Sequence, residues 1–180
     1  NVFDVYENTK TMMFSLCCSG IWIGLFNSIQ EICKERNILR REYMTNLKLP
    51  VYIFSKFFVQ AIIGAVQAVL LAGVFILVVD KDLPGLFLDT FVPEIIFTVW
   101  AVIVTSEATG LVISANAKSG DKAMVVAPFL LIVQLLFSGI LFKLEGFGEW
   151  ISYATASRWT VEGLGSIVNL NEMPLKMQAD

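Results

Sequence analysis

Four long apolar stretches constrain this sequence more than any other feature. They cover residues 11–30, 57–79, 95–117 and 123–142, and Glu107 is the only charged residue inside them. A helix rises 1.5 Å per residue, so about 20 apolar residues cross the hydrocarbon core of a bilayer. Helices of this length in a soluble protein would each show a polar face. The pattern therefore predicts an all-α, polytopic bundle of four transmembrane helices.

Composition supports a lipid bilayer as the main environment. Hydrophobic residues make up 56% of the chain and charged residues 16%, whereas soluble domains average about 45–50% apolar residues. The net charge is −3, and no basic stretch alternates with stacking aromatic residues. A nucleic-acid partner is therefore excluded.

The sequence offers little for metal or disulfide chemistry. Its three cysteines, Cys17, Cys18 and Cys33, have no CxxC spacing, and the chain contains no histidine. We expect no metal site and no bound cofactor. Residues 1–10 lack the basic region of a secretory signal, so the first apolar stretch is expected to remain in the mature protein.

The distribution of Lys and Arg predicts how the chain crosses the membrane. The connection at 31–50 is rich in both, and the one at 116–122 carries Lys118 and Lys122, whereas the connection at 80–93 has only Lys81. Because cytoplasmic connections carry the excess of basic residues, the first and third connections are assigned to the cytoplasm. The amino terminus and the segment 143–180 then lie outside a multi-pass protein of the cell (plasma) membrane.

The first connection contains a predicted helix with the sequence EICKERNILRRE, from Glu31 to Glu42. Ile32, Leu39 and Tyr43 recur at helical spacing and could form one apolar edge. Its charged side chains would remain solvated or meet a partner. By composition alone, a juxtamembrane helix that follows the positive-inside rule is the simpler interpretation.

Polar residues inside the spans are the other candidates. Glu107 is a functional candidate because an uncompensated charge is costly in hydrocarbon; the structural alternative is that it is protonated, or hydrogen-bonded to Thr105, Ser106, Thr109 or a neighbouring helix. No other span has a titratable partner for a proton relay.

Gln60, Gln67 and Gln134 would form interhelical hydrogen bonds of about 1 kcal/mol each or, less simply, line a substrate path. Small residues recur every four positions, which indicates close helix packing: Gly20 and Gly24, then Gly64, Ala68 and Ala72.

The segment from Trp150 to Leu170 mixes aromatic, polar and charged residues and is too polar for a simple span. This composition predicts an interfacial or re-entrant helix on the outer side, with an ion pair between Arg158 and Glu162. Trp159 would lie at the interface.

Two groups of residues resemble a known family. The run 27–32, the charges at 34–36 and 40–42, and then Tyr52 and Lys56 resemble the intracellular loop of type-2 ABC transporter permeases. The G-subfamily exporters and their bacterial relatives are the most similar. Residues 137–142, Trp150, and the runs 157–159 and 162–164 are similar to the external re-entrant segment of that family. The resemblance covers nearly the whole chain.

The resemblance implies a permease domain of an ABC transporter. The loop helix would dock on a nucleotide-binding ATPase domain, expected to be fused to the permease and to carry ATP and Mg. The residues at this coupling surface would be Glu31, Lys34, Glu35, Arg36, Arg40, Arg41 and Glu42. Two permease halves would form a homodimer or heterodimer that exports an amphipathic or lipidic substrate. The chain has no GxxxxGK[ST] motif and is not expected to be an ATPase or another enzyme itself.

The sequence departs from the family at both ends. The family usually has one further span on each side, so we expect residues 1–180 to be a partial permease domain. Two alternatives remain at this point. One is a channel or scaffold without ATP coupling. The other is an intramembrane lipid-modifying enzyme, which would need a nucleophile with its base, or metal ligands, at one depth.

Overall fold

The computed structural model describes residues 2–44, 48–79, 91–138, 153 and 155–167. These residues form six helices and, in the described ranges, no strand, which confirms the all-α prediction. The helices are α1 (Val2–Ser28), α2 (Glu31–Tyr43), α3 (Leu49–Val79), α4 (Phe91–Asn116), α5 (Gly120–Leu136) and α6 (Ala156–Ile167).

Three helical segments are long and apolar enough to cross a membrane: Asn8–Glu42, Leu49–Leu77 and Val92–Asn116. The first of them runs through α1 into α2. The predicted fourth span begins in α5, which has 17 residues. Residues 139–142 at its far end lie outside the described part of the chain, so the bounds of the four spans stay predictions.

The fourth helix lies at the centre of the bundle. It contacts each of the other five described helices, and most extensively α1. Its buried side chains Ile95, Val99 and Ile103 pack into a core with Ile21 and Leu25 of α1. Large apolar side chains on α3 instead point outward, among them Phe58, Val66, Leu70 and Leu77. A surface of this kind suits a hydrocarbon solvent and not water.

Glycines allow the helices to approach closely. A Cβ atom on Gly24 would overlap the carbonyl oxygen of Ile103 and lie 2.8 Å from the Cβ of Ser106. A Cβ atom on Gly64 of α3 would lie 2.9 Å from the Cγ2 of Ile103. Ala68 and Ala72 on the same helix are fully buried. The predicted role of the small residues in packing is confirmed.

Contacts between α1 and α4 advance in the same direction along both helices. Gly24 meets Ser106, and one turn later the Ser28 hydroxyl fills the space beside Gly110. The Ser28 hydroxyl donates to the Gly24 carbonyl at 2.9 Å, so it is satisfied within α1. The two helices are therefore parallel, as expected when one further span separates them in sequence.

Replacing Gly24 by Val should destabilise the bundle, because the carbonyl of Ile103 belongs to a helical backbone and cannot move aside. Overpacking of this kind costs about 1–3 kcal/mol. Gly73→Val is the matched control, since no atom lies within 4 Å of a Cβ built there. Thermal unfolding in detergent should show a clearly lower midpoint for Gly24→Val, and equal midpoints would contradict the packing.

Candidate functional site

The amino terminus of α2 is capped by a residue far away in the sequence. The preceding residue, Gln30, forms no side-chain capping bond. Instead, the backbone amides of Ile32 and Cys33 both donate to the Ser114 hydroxyl of α4, at 3.0 Å each. The first amides of a helix have no partner within it. Ser114 therefore satisfies two of them and fixes the start of α2 on α4.

Further bonds join α2 to the carboxyl end of α4. The Cys33 thiol donates to the Ser114 carbonyl at 2.9 Å, and the Arg36 Nη1 donates to the Ala117 carbonyl at 2.6 Å. The last carbonyls of a helix lack intrahelical donors and carry partial negative charge. A cationic donor at this end is therefore favourable.

A second side of α2 is joined to the start of α3. The Lys56 ammonium lies 2.5 Å from Glu35 Oε1 and 3.4 Å from Glu31 Oε2. The Tyr52 hydroxyl donates to Glu35 Oε2 at 2.6 Å. Hydrogen bonds from Lys56 and then Tyr52 lower the pKa of the Glu35 carboxyl below its usual value.

The remaining charged residues of α2 stay on its surface. Lys34, Arg40, Arg41 and Glu42 are all exposed. Ile38 lies one turn from Lys34 on the same side and is 56% exposed, which is unusual for a large apolar side chain. Ile32 is buried and Leu39 half-buried, which agrees with the predicted apolar edge; the side chain of Tyr43 is outside the described set.

Two of the predicted polar residues connect α1 and α3, both of which are long apolar helices. The Asn27 side-chain amide of α1 donates to Gln67 Oε1 of α3 at 2.7 Å. The Gln60 side-chain amide donates back to the Asn27 carbonyl at 3.3 Å. Interhelical bonding by Gln60 and Gln67 is thereby confirmed. Gln134 is buried in α5, and its Oε1 has no partner within the described ranges.

Glu107 is completely buried, with its carboxyl group against Gly64 of α3. Neither carboxyl oxygen has a hydrogen-bond partner among the residues that the structure describes. The hydroxyls of Thr105 and Thr109 donate instead to backbone carbonyls of their own helix, at 2.6 and 3.0 Å. The Ser106 hydroxyl is also buried and has no described partner. Two of the hydroxyl partners that the sequence suggested for Glu107 are therefore engaged elsewhere.

The residues predicted to be external, Arg158, Trp159 and Glu162, lie together on α6. Arg158 Nε donates to Glu162 Oε1 at 3.1 Å, which confirms the predicted pair. The Arg158 guanidinium lies 4.1 Å from the centre of the Tyr153 ring. The Trp159 indole donates to the Tyr153 carbonyl at 2.9 Å. These contacts are local, whereas the Ser157 hydroxyl anchors α6 to α5 through the Gln134 carbonyl at 2.5 Å.

The structure does not bring the three groups of candidates into one site. The α2 residues lie where α1 and α4 end, α6 packs further back along the same two helices, and Glu107 lies between them. Ser114 and Ala117 were not singled out from the sequence, and Asn27 was named only within the run 27–32 that resembles the family. The one available signal for Ser114 was a hydroxyl in the last turn of an apolar helix.

A bundle of long apolar helices with a charged helix held at one end describes a polytopic helical membrane protein. The sequence profile of the ABC-2 type transporter family matches residues 2–168. The chain belongs to this family, and it is a membrane permease component of the ABC transporter type.

One known protein sequence is similar to most of this chain. The ABC transporter ATP-binding/permease protein Rv1747 of Mycobacterium tuberculosis is 28% identical over 172 residues. The aligned region is 93% of this chain and 20% of that protein, so the chain spans about a fifth of its relative. No solved structure matches the chain.

The bond between Lys56 and Glu35 should make stability depend on pH. Because the pKa of Glu35 is lowered by folding from its ordinary 4.5, its ionised form stabilises the folded state above about pH 4.5, and this contribution is lost as the pH falls through the lowered pKa. Lys56→Gln should therefore differ most from the unmodified protein near neutrality and less in acid.

The measurement is the thermal midpoint in detergent from neutral to acidic pH. Lys34→Gln is the control, because Lys34 lies on the exposed side of α2. Its difference from the unmodified protein should not change in the same way. A Lys56→Gln deficit that stays constant with pH would show that Glu35 is not stabilised by this contact.

Glu107→Gln should leave the fold intact. The amide has nearly the same shape, carries no charge, and breaks no hydrogen bond that the described residues make to the carboxyl group. The expected change in unfolding free energy is within about 1 kcal/mol. A much larger loss in thermal unfolding would show that an ionised carboxylate binds a partner there.

Proposed function

We propose that this chain is the membrane-spanning part of an ATP-driven transporter in the cell membrane, and that α2 is its coupling helix. A nucleotide-binding domain, fused to the permease in the complete protein, would hold ATP and Mg and push on α2. The name of the relative, an ATP-binding/permease protein, supports this arrangement. The family membership supports the permease role.

The observation that carries the proposal is the attachment of α2 to two spanning helices. Ser114 and Ala117 tie it to the end of α4, and Lys56 ties it to the start of α3. A displacement of α2 would therefore move both helices. Because α4 contacts every other described helix, the displacement would reach the whole bundle.

The surface offered to the ATPase domain is the side of α2 that faces away from α3 and α4. Lys34, Ile38 and Arg41 lie at spacings of four and three residues, which places them on one side of the helix. All three are exposed. An exposed apolar side chain between two cations suits a protein interface with an acidic rim.

Glu31 and Glu35 would contribute differently from the outward residues. Their carboxylates already bind Lys56, so in this proposal they transmit movement to α3 and do not contact the ATPase domain. Two permease halves, as a homodimer or heterodimer, would rock against each other and give an amphipathic or lipidic substrate access to each side in turn.

The docking surface can be tested by photo-crosslinking in the full-length protein. A photoreactive amino acid at Ile38 should crosslink to the nucleotide-binding domain. Reversing the flanking charges, with Lys34→Glu and Arg41→Glu, should lower the crosslink yield at least fivefold, because opposite charges across the interface become like charges.

The matched control is the double variant Lys118→Glu and Lys122→Glu. It makes the same charge change on the other basic connection, at two exposed positions. Its crosslink yield should equal that of the unmodified protein. If the photoreactive residue at Ile38 crosslinks to no ATPase domain, or if both double variants behave alike, α2 is not the coupling surface and a channel or scaffold becomes the better interpretation.

A further inference from the structure

A cavity of about 540 Å³ opens between α2, the start of α3 and the end of α4. Its walls are almost entirely apolar. Ile32 closes it on α2, Phe54 and Phe57 line it on α3, and Leu111 and Val112 line it on α4. Phe54 is 70% exposed, so the cavity is open towards the surroundings of the bundle.

A second cavity of about 430 Å³ adjoins the first. Its walls are Arg36, Leu39, Arg40 and Leu49. Leu49 lines both cavities, and Arg36 and Leu39 lie one and two turns beyond Ile32 on α2. An apolar chamber therefore continues into a second, mainly apolar chamber, and the side chains of Arg36 and Arg40 form part of its wall.

The positive charges of Arg36 and Arg40 are not neutralised by the acidic side chains that α2 turns towards α3. Glu31 and Glu35 point to Lys56, on a different side of the helix from Arg36 and Arg40. Arg36 gives one N–H to the Ala117 carbonyl, and a guanidinium has five N–H donors. Arg40 is exposed, and within the described ranges no carboxylate forms an ion pair with it.

The position of the two chambers along α3 matches the surface of a bilayer. Lys56 marks the start of the uncharged stretch 57–79, and the apolar chamber lies beside this point. The arginine chamber lies beyond it, on the side predicted to be cytoplasmic. The cytoplasmic leaflet is where anionic lipids concentrate.

We propose that the two chambers together bind one anionic phospholipid of the cytoplasmic leaflet. Acyl chain would fill the apolar chamber, and the phosphate would lie between Arg36 and Arg40, where guanidinium groups can donate bidentate hydrogen bonds. The proposal rests on the predicted orientation of the chain and not on coupling to an ATPase. A bound lipid would hold α2 against α3 and α4 in addition to the direct bonds.

The test uses the full-length protein in vesicles of phosphatidylcholine and phosphatidylglycerol, with a phosphatidylglycerol probe that carries a photoreactive acyl chain. Mass spectrometry should find the label on peptides that contain Phe54, Phe57 or Val112.

Arg40→Gln should lower this labelling about fivefold, because one basic residue contributes about that factor to the binding of anionic lipid. Lys122→Gln is the control, since Lys122 is also an exposed cation on the same predicted side of the membrane but lines neither chamber. It should leave the labelling unchanged.

Val112→Trp provides a second variant that leaves all charges in place. Val112 is 62% exposed, so the larger side chain can fill the apolar chamber without entering the core, and labelling should be lost. Equal labelling by a phosphatidylcholine probe, equal effects of Arg40→Gln and Lys122→Gln, or a label that Val112→Trp does not displace would each overturn the proposal. Absence of label on these peptides would do the same and point to a protein segment as the occupant. None of these outcomes bears on the crosslink from Ile38, so the two proposals can fail separately.

Discussion

The close parallel approach of α1 and α4 is the constraint on which the rest of the structure depends. Gly24 lies against Ile103 and Ser106, and Ser28 lies against Gly110. One turn further along both helices, Ile32 meets Ser114. Successive contacts are therefore four residues apart along both partners. The contact that caps α2 is thus the continuation of the packing between two spans, and the glycines set the register that brings the Ser114 hydroxyl to the first amides of α2.

This register matters because polar backbone at the end of a span has few alternatives to a protein partner. Unsatisfied amides or carbonyls are costly near hydrocarbon. Here the amides that begin α2 and the carbonyls that end α4 are satisfied together, through Ser114, Cys33 and Arg36. The same exchange of bonds attaches α2 to α4. In this protein, the bonds that satisfy these backbone groups also fix the position of α2.

What the sequence could predict was local. The apolar stretches follow from the absence of charge, and the pair between Arg158 and Glu162 follows from helical spacing of four residues. The helix at Glu31–Tyr43 was likewise predicted nearly to its ends. The capping of α2 by Ser114 joins residues about 80 positions apart and depends on the register between helices. For the same reason, the sequence could not show that Asn27 joins Gln60 and Gln67, or that Thr105 and Thr109 turn their hydroxyls away from Glu107.

The first two acidic residues of α2 lie on a different side of the helix from its basic residues. A helix of this length has room for three sides, and residues four apart share one. On the first side, Glu31 and Glu35 face Lys56 of α3. On the second, Arg36 and Arg40 border the second chamber. On the third, Lys34, Ile38 and Arg41 face outward. Opposite charges are therefore sorted by direction although they alternate in sequence. Two acidic side chains of α2 thus bind α3, and Arg36 binds the end of α4. Lys34, Arg40 and Arg41 stay exposed, so one short segment is held in the bundle and still presents cations on its surface.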